Sequence, residues 1–402
     1  MTSTVRDRRL LYATAFLRAT TTSTIGVTVG AHLARLGLED AALGLVVSAG
    51  LAGAAVLALL ATLVADRIGR RRFLVLVTTC GVAGTVAFAL ASSTIALVAA
   101  AFVGAVNGMG RDRGAALVLE QAALPATTTA ESRTQVIAVY TMLQDIGHAL
   151  GALLAGAPAW LAGRTLPGDL EAHRGVLLAC GVAGVVAIVL YLALGSTVEH
   201  GTQIRPTLTP ASRAIVTKIS ALFALDALGG GFLTTALLAY FFYARFGVAE
   251  QDMALLFFGA RVLNAVSHLG AAWLAKRIGL VNTMVFTHIP SSLLLVTVAF
   301  APSFPVAAVL FLAREGLVEM DVPTRQSYVL AVVEPTERTL ASGITNLVRL
   351  AMWAVAPVVA GLLMVGDTLY VPLVVGATLK ISYDLLLWRA FRGVAPPEER
   401  SR

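Results

Sequence analysis

The sequence predicts an all-α integral membrane protein with twelve transmembrane helices in two pseudo-symmetric six-helix bundles. Three observations carry that expectation. Only 13% of the 402 residues are charged and 57% are hydrophobic, whereas soluble domains carry about 25% charged residues. Mean hydropathy is +0.82, and the apolar stretches are long, rich in Ala, Leu, Val and Gly, and without the period-two alternation of an outer-membrane barrel. The apolar stretches also fall into two sets of six whose landmarks repeat.

A helical span takes ~20 apolar residues. Stretches of that kind lie near 10–33, 41–64, 73–91, 94–122, 134–161 and 175–196. The leader 1–9 resembles a signal-peptide n-region, but the apolar run from Leu10 is too long for a cleaved segment and reads as a retained first span. A polar linker over 197–213 contains Pro206 and Pro210. Six more stretches follow near 214–243, 253–275, 280–300, 304–333, 339–364 and 368–391. The expected organisation is therefore an N-terminal bundle over 1–196, a cytoplasmic linker over 197–213, a C-terminal bundle over 214–392 and a tail over 393–402.

Basic residues set the orientation. With the N-terminus cytoplasmic, eighteen Lys and Arg fall in cytoplasmic segments, among them Arg67, Arg70, Arg71, Arg72, Arg133, Lys276, Arg277 and Arg338. The opposite loops hold four: Arg35, Arg164, Arg174 and Arg245. That bias places both termini inside. It also accounts for the net charge of +7, so a nucleic-acid partner is not expected. Cys80 and Cys180 sit in separate apolar stretches with no CxxC, which gives no disulfide or metal site.

The halves repeat. A shift of 205 carries Gln121 onto Gln326, Arg133-Thr134 onto Arg338-Thr339 and Ala155-Gly156 onto Ala360-Gly361. A shift of 210 carries Arg67-Ile68-Gly69 onto Arg277-Ile278-Gly279. Parallel six-helix repeats mark one large class of secondary transporter, in which one bundle rocks against the other.

The segment Thr62-Leu63-Val64-Ala65-Asp66-Arg67-Ile68-Gly69-Arg70-Arg71 resembles the loop 2–3 signature of the major facilitator superfamily, GxxxDRxGRR, with Thr62 replacing the first Gly. Ala275-Lys276-Arg277-Ile278-Gly279 resembles its degraded second copy. Pro335-Thr336-Glu337-Arg338 looks like the PExxR-type element after span ten, and Glu131-Ser132-Arg133 like its weaker counterpart. Met320-Asp321-Val322-Pro323-Thr324-Arg325-Gln326-Ser327-Tyr328 looks characteristic of a bacterial subgroup of unassigned substrate. Gly147-His148-Ala149-Leu150-Gly151 resembles the proton-antiporter element of span five only in part, for its Gly-Pro pair is missing.

The resemblance implies a transporter of the bacterial inner membrane, working as a monomer, with a gating motif of Asp66, Arg67, Gly69, Arg70, Arg133 and Arg338. Asp66 is expected near a helix N-terminus, where a carboxylate is favoured, with Arg133 as its partner; Asp66→Asn should weaken the outward-open state. The plainer reading of Arg70, Arg71 and Arg72 is a topology anchor.

The resemblance also places spans one, four, seven and ten around the central cavity. Those spans carry Arg18; Arg111, Asp112 and Arg113; Asp226; and Arg314, Glu315 and Glu319. A central charge costs about 2.5–3.5 kcal/mol on insertion scales, so it faces inward, pairs, and often marks function. Arg18 shares a helix face with Thr14, Thr21 and Thr22. Asp226 precedes Gly229, Gly230 and Gly231, which allow close backbone approach. The candidate substrate residues are Arg18, Thr22, Arg111, Arg113, Asp226 and Arg314, since guanidinium forks suit carboxylate or phosphate. The candidate proton-coupling residues are Asp226, Glu315 and Glu319, the last two one turn apart. Alternatively these charges are structural pairs, Arg18 with Asp226 across the halves among them. Lys380 and Asp384, at i and i+4, are expected to satisfy each other. Glu120, Gln121, Asp321, Arg325 and Gln326 lie where cytoplasmic gate pairs would form.

The function expected is proton-coupled movement of a small solute by alternating access, with a lean to an anionic or zwitterionic substrate. Proton-linked efflux of drugs or organic cations is the alternative, with the acids as receptors and Phe16, Tyr140, Tyr240, Phe241 and Phe242 as aromatic surface. There is no GxxxxGK[ST], HExxH or GxSxG motif, so neither a P-loop ATPase nor an intramembrane enzyme is expected, and no cofactor is implied.

Overall fold

The computed structural model describes residues 3–129, 132–162, 164–199, 208–331, 333–334 and 337–391. Glu131, Pro206, Pro335, Thr336 and the tail over 393–402 lie outside them, as do the side chains of Arg133 and Gln326.

Sixteen α-helices run through the described residues, and in chain order they fall on the twelve expected stretches. The first half holds α1 (Ser3–Arg35), α2 (Asp40–Ile68), α3 (Arg70–Leu90), α4 (Thr94–Gly104), α5 (Ala115–Ala123), α6 (Arg133–Leu154), α7 (Ala157–Leu161) and α8 (Asp169–Leu192). The second holds α9 (Pro210–Gly231), α10 (Thr235–Phe246), α11 (Glu250–Ile278), α12 (Leu280–Ala299), α13 (Phe304–Val318), α14 (Asp321–Ala331), α15 (Arg338–Leu363) and α16 (Val371–Phe391). Nine described helical stretches are long and apolar enough to cross a membrane.

Four spans that hydropathy reads as continuous are broken. Span four splits into α4 and α5, span five into α6 and α7, span seven into α9 and α10, and span ten into α13 and α14. Arg111, Asp112 and Arg113 are therefore not helical; they lie in the segment 105–114. The break has a local cause. Ala105 ends α4 in the left-handed region at φ 47°, and the following residues include Gly108, Gly110 and Gly114. Asn107 accepts from Met109 N at 2.9 Å and donates to Arg111 O at 2.7 Å. Asp112 N donates to His148 Nε2 at 3.1 Å. Non-helical backbone is tolerated at membrane depth only when its polar groups find such partners.

The chain divides into two compact units. One comprises 1–203 with 234–258, the other 204–233 with 259–402, so α10 and the first turns of α11 group with the first unit. The core of the first unit gathers Leu11, Phe73, Leu74, Leu119, Tyr140 and Tyr191. Here α6 packs against α1 so closely that a Cβ on Gly151 would lie 2.2 Å from Thr20 O, as small residues permit between membrane helices. The second core gathers Phe223, Met284, Tyr328, Tyr383 and Leu387. The glycines after Asp226 are used for packing there: a Cβ on Gly229 would lie 3.0 Å from Gly376 O of α16.

Candidate functional site

Each unit buries a dense charge cluster among its described residues. In the first, Arg18 on α1 donates from Nε to Asp112 Oδ2 at 2.5 Å and from Nη2 to Glu120 Oε2 at 2.8 Å. Its Nη1 reaches the Tyr191 hydroxyl at 2.9 Å and its Nη2 the Tyr140 hydroxyl at 3.2 Å. Glu120 on α5 is fully buried. It also accepts from the hydroxyls of Thr14, Tyr140 and Tyr191, each at 2.6 Å. A buried carboxylate is stable only when its lone pairs are satisfied in this way. Asp112 takes a longer bond from Gln144 Nε2 at 3.4 Å.

A cavity of about 160 Å³ adjoins this cluster inside the first unit. Arg18, Thr21 and Thr22 of α1, Thr78 and Thr85 of α3, Cys180 of α8, and Asn107 and Asp112 of the unwound segment line it, among apolar neighbours. Arg111 and Arg113 flank Asp112 in sequence but are not part of its wall.

In the second unit the hub is Asp226 on α9, 2% exposed. Lys380 Nζ of α16 lies 2.8 Å from Oδ1, Arg325 Nη1 of α14 lies 3.2 Å from Oδ2, and Arg349 Nη2 of α15 lies 3.6 Å from Oδ2. Arg325 also binds Asp321 at 2.5 Å. Asp384 is held by His288 Nδ1 at 3.0 Å. Lys380 and Asp384 are thus not each other's partner, despite their helical spacing. Lys380 extends to α9 instead, and His288 of α12 serves Asp384. Arg18 and Asp226, suggested as a pair, each make ion pairs within their own unit. Arg314 pairs with Glu315, whose carboxylate also accepts from Asn264 Nδ2 at 2.9 Å. Glu319 caps α13 at the break in span ten.

The model of the Major Facilitator Superfamily matches residues 11–357. The chain belongs to that superfamily. An uncharacterized membrane protein of Saccharomyces cerevisiae, YJR124C, is 24% identical over 424 residues, covering 97% of this chain and 95% of its own. The xylose transporter XylE from E. coli superposes with a TM-score of 0.75 at 14% identity, covering 99% of both chains. The nucleoside transporter NupG gives 0.73 at 14% identity, covering 98% of this chain and 100% of its own. At these identities the structures show the shared fold. The superfamily protein described here is accordingly a multi-pass membrane transporter and not an enzyme.

The superfamily loop motif has a defined geometry in this transporter. Gly69 joins α2 to α3 at φ 101°, a conformation L side chains rarely adopt. That sharp turn brings Arg70 Nε to 2.8 Å from Asp66 Oδ1. Arg70, on the adjoining helix, is therefore a partner of Asp66; the expected partner, Arg133, has its side chain outside the described residues. The N-terminus of α3 is occupied by Glu199, whose Oε2 accepts from Arg70 N at 2.7 Å, as the helix dipole favours. Arg71 Nη1 bonds Leu194 O at 3.0 Å, whereas Arg67 and Arg338 are exposed. Glu337 plays the matching part in the other unit. It accepts from Thr209 N at the start of α9, and with the Ser212 hydroxyl this holds its carboxyl below the usual glutamate range.

Of the sequence candidates, the structure brings Arg18, Thr22 and Asp112 to one cavity and leaves Asp226 and the Arg314–Glu315 pair in separate contacts of the other unit. Tyr191, Glu199, His288 and the hub role of Lys380 escape the sequence reading. One signal was available. The shift of 205 that superposes Gln121 on Gln326 also places Glu120 on Arg325 and Gln144 on Arg349. With Arg18 and Asp226 at corresponding points of spans one and seven, the two clusters are the same pair with the signs exchanged.

Proposed function

We propose that the chain is a secondary active transporter, moving a small solute by alternating access and driven by protons, with both termini cytoplasmic. The observation that carries this reading is the sign-exchanged buried ion pair, Arg18 with Glu120 and Asp226 with Arg325. It joins the first cavity helix of each half to the helix that follows the break in the fourth. Intramembrane charges beside broken helices mark substrate and ion pathways. With Asp226 engaged by three cations, Glu315 and Glu319 are the proton-coupling residues of this reading. Glu315 shares one arginine and Glu319 stands at the break.

The lean to a simple anion weakens, because Arg18 already faces two carboxylates and Arg314 faces Glu315. A zwitterion, or the organic cation of the alternative reading, fits better. XylE carries a sugar and NupG a nucleoside, so uncharged polar solutes belong in the same test. The yeast relative leaves the host membrane open, and a bacterial inner membrane is retained only on the loop motifs. A single 402-residue chain is the proposed working unit.

The test is reconstitution into liposomes loaded with a pH-sensitive dye, with zwitterionic, cationic, anionic and uncharged solutes added outside. Solute-dependent proton movement that Glu315→Gln abolishes is the expected result. Solute flux with no proton movement would overturn the coupling. Binding without flux would make the protein a receptor.

A further inference from the structure

We propose that the cavity inside the first unit binds a compact organic ammonium compound, with its cation against Asp112 and its apolar body between α2, α3 and α8. Three features of the wall point to that chemistry. Beside the engaged Arg18, three of its polar groups present acceptors. Thr21 and Thr78 spend their hydroxyl protons on Arg18 O at 3.0 Å and Leu74 O at 2.8 Å, so their oxygens present lone pairs. Asp112 Oδ1 receives one long bond, from Gly114 N at 3.5 Å, and retains acceptor capacity.

The charge at this end is also biased. Arg18 is shared by Asp112 and Glu120, and four of its N–H contacts are already made. An incoming carboxylate would find a guanidinium with little left to donate and two carboxylates beside it. An ammonium would find an anion with acceptor capacity to spare. The third feature is the space itself. Leu57, Val77, Val82 and Ala183 supply apolar surface, and the volume of about 160 Å³ compares with an engineered cavity of about 150 Å³ that holds benzene. A molecule of benzylamine's size is the scale implied. The cavity exists because span four unwinds at 105–114, whose residues form one side of it. The proposal deepens the transport reading, yet binding can be tested without transport.

Cys180 lines the cavity, and the chain's other cysteine is Cys80. In the full-length Cys80→Ser protein in detergent, alkylation of Cys180 by N-ethylmaleimide reports occupancy. A ligand at 100 times its Kd leaves about 1% of sites empty, so benzylamine at that excess should slow alkylation about 100-fold. Benzyl alcohol should protect more weakly and benzoate least. Asp112→Asn should remove the advantage of the amine over the alcohol. Equal protection by benzoate and benzylamine, or an amine advantage unchanged by Asp112→Asn, overturns the proposal.

Gly81→Leu serves as the second variant. Gly81 lines the cavity and a Cβ there meets nothing nearer than Gly104 O at 3.9 Å, so the substitution begins without a backbone clash and its remaining carbons take up cavity space. Benzylamine should raise the unfolding temperature of the parent and not of this variant; an equal rise in both places the amine elsewhere and overturns the site. Proton-coupled flux is measured separately in liposomes. Its absence with Cys180 protection intact sinks the transport reading alone, and its presence without protection sinks the cavity site alone.

Discussion

Asp226→Asn should be the most costly single substitution in the second unit, and more costly than removing any one of its partners. At an effective dielectric of ~20, contacts of 2.8, 3.2 and 3.6 Å correspond to roughly 6, 5 and 5 kcal/mol of gross attraction. Desolvation of several kcal/mol per ion and the mutual repulsion of three cations cancel most of it. What a measurement retains when one partner of a buried pair is removed is about 3–5 kcal/mol. The substitution would leave Lys380, Arg325 and Arg349 facing one another around a neutral amide. Lys380→Met removes a cation from a carboxylate that keeps two others, and should cost about 1–3 kcal/mol, as for a charged hydrogen bond. Combining the two removes both the anion and one of the stranded cations, so the double variant should cost less than the sum by about 0.5–3 kcal/mol. Reversible unfolding in mixed detergent micelles, followed by the four tryptophans, gives the cycle. A smaller loss for Asp226→Asn than for Lys380→Met, or strict additivity, would refute the hub.

Three further outcomes are expected from the same unfolding assay. Tyr191→Phe deletes a donor to Glu120 and an acceptor for Arg18, so it should cost about 1–3 kcal/mol; a neutral effect would mean the hydroxyl is not part of the network. Gly69→Ala forces an L side chain to φ 101° with its Cβ 3.1 Å from Glu199 Oε2, and should cost about 1–3 kcal/mol, partly relieved by Glu199→Ala. Glu337 has a depressed carboxyl value in the fold, so it stabilises the folded state above the ordinary glutamate value near 4.5, and that share is lost as pH falls through the lower folded value. Glu337→Gln should flatten this part of the acid limb, and an unchanged limb would assign it to other groups.

The order of the spans and the loop 2–3 turn were legible in the sequence because hydropathy and glycine report backbone demands directly. The breaks were less so. Residues 94–122 score as one apolar run, and only the spacing of Gly108, Gly110 and Gly114 with the turn-forming Asn107 hints that the helix stops. The choice of partner among buried charges was least legible. Helical spacing says that Lys380 can reach Asp384 along one helix, but not that His288 on another will take Asp384 first. The same limit hid the contact of Arg70 with Asp66, for the turn at Gly69 folds Arg70 back.

The sign exchange between the two clusters requires something in each to fix the polarity of its pair. Thr14, Tyr140 and Tyr191 carry hydroxyl groups that can donate or accept, so they tolerate either sign at position 120. Asp112 cannot, because its carboxylate 2.5 Å from Arg18 Nε demands the cation on α1. Reversing the pair as Arg18→Glu with Glu120→Arg therefore places two carboxylates together and should lose about 3–5 kcal/mol, the scale of a broken buried pair. Adding Asp112→Asn to the reversed pair removes the conflicting charge and should recover at least about 1 kcal/mol of it, within the coupling range of contacting residues. In the second unit Lys380 and Arg349 hold the opposite sign in place, so the corresponding reversal of Asp226 and Arg325 should not be rescued by any one neutral substitution. Failure of Asp112→Asn to restore the reversed first pair would show that the hydroxyl groups, and not the third charge, set its polarity.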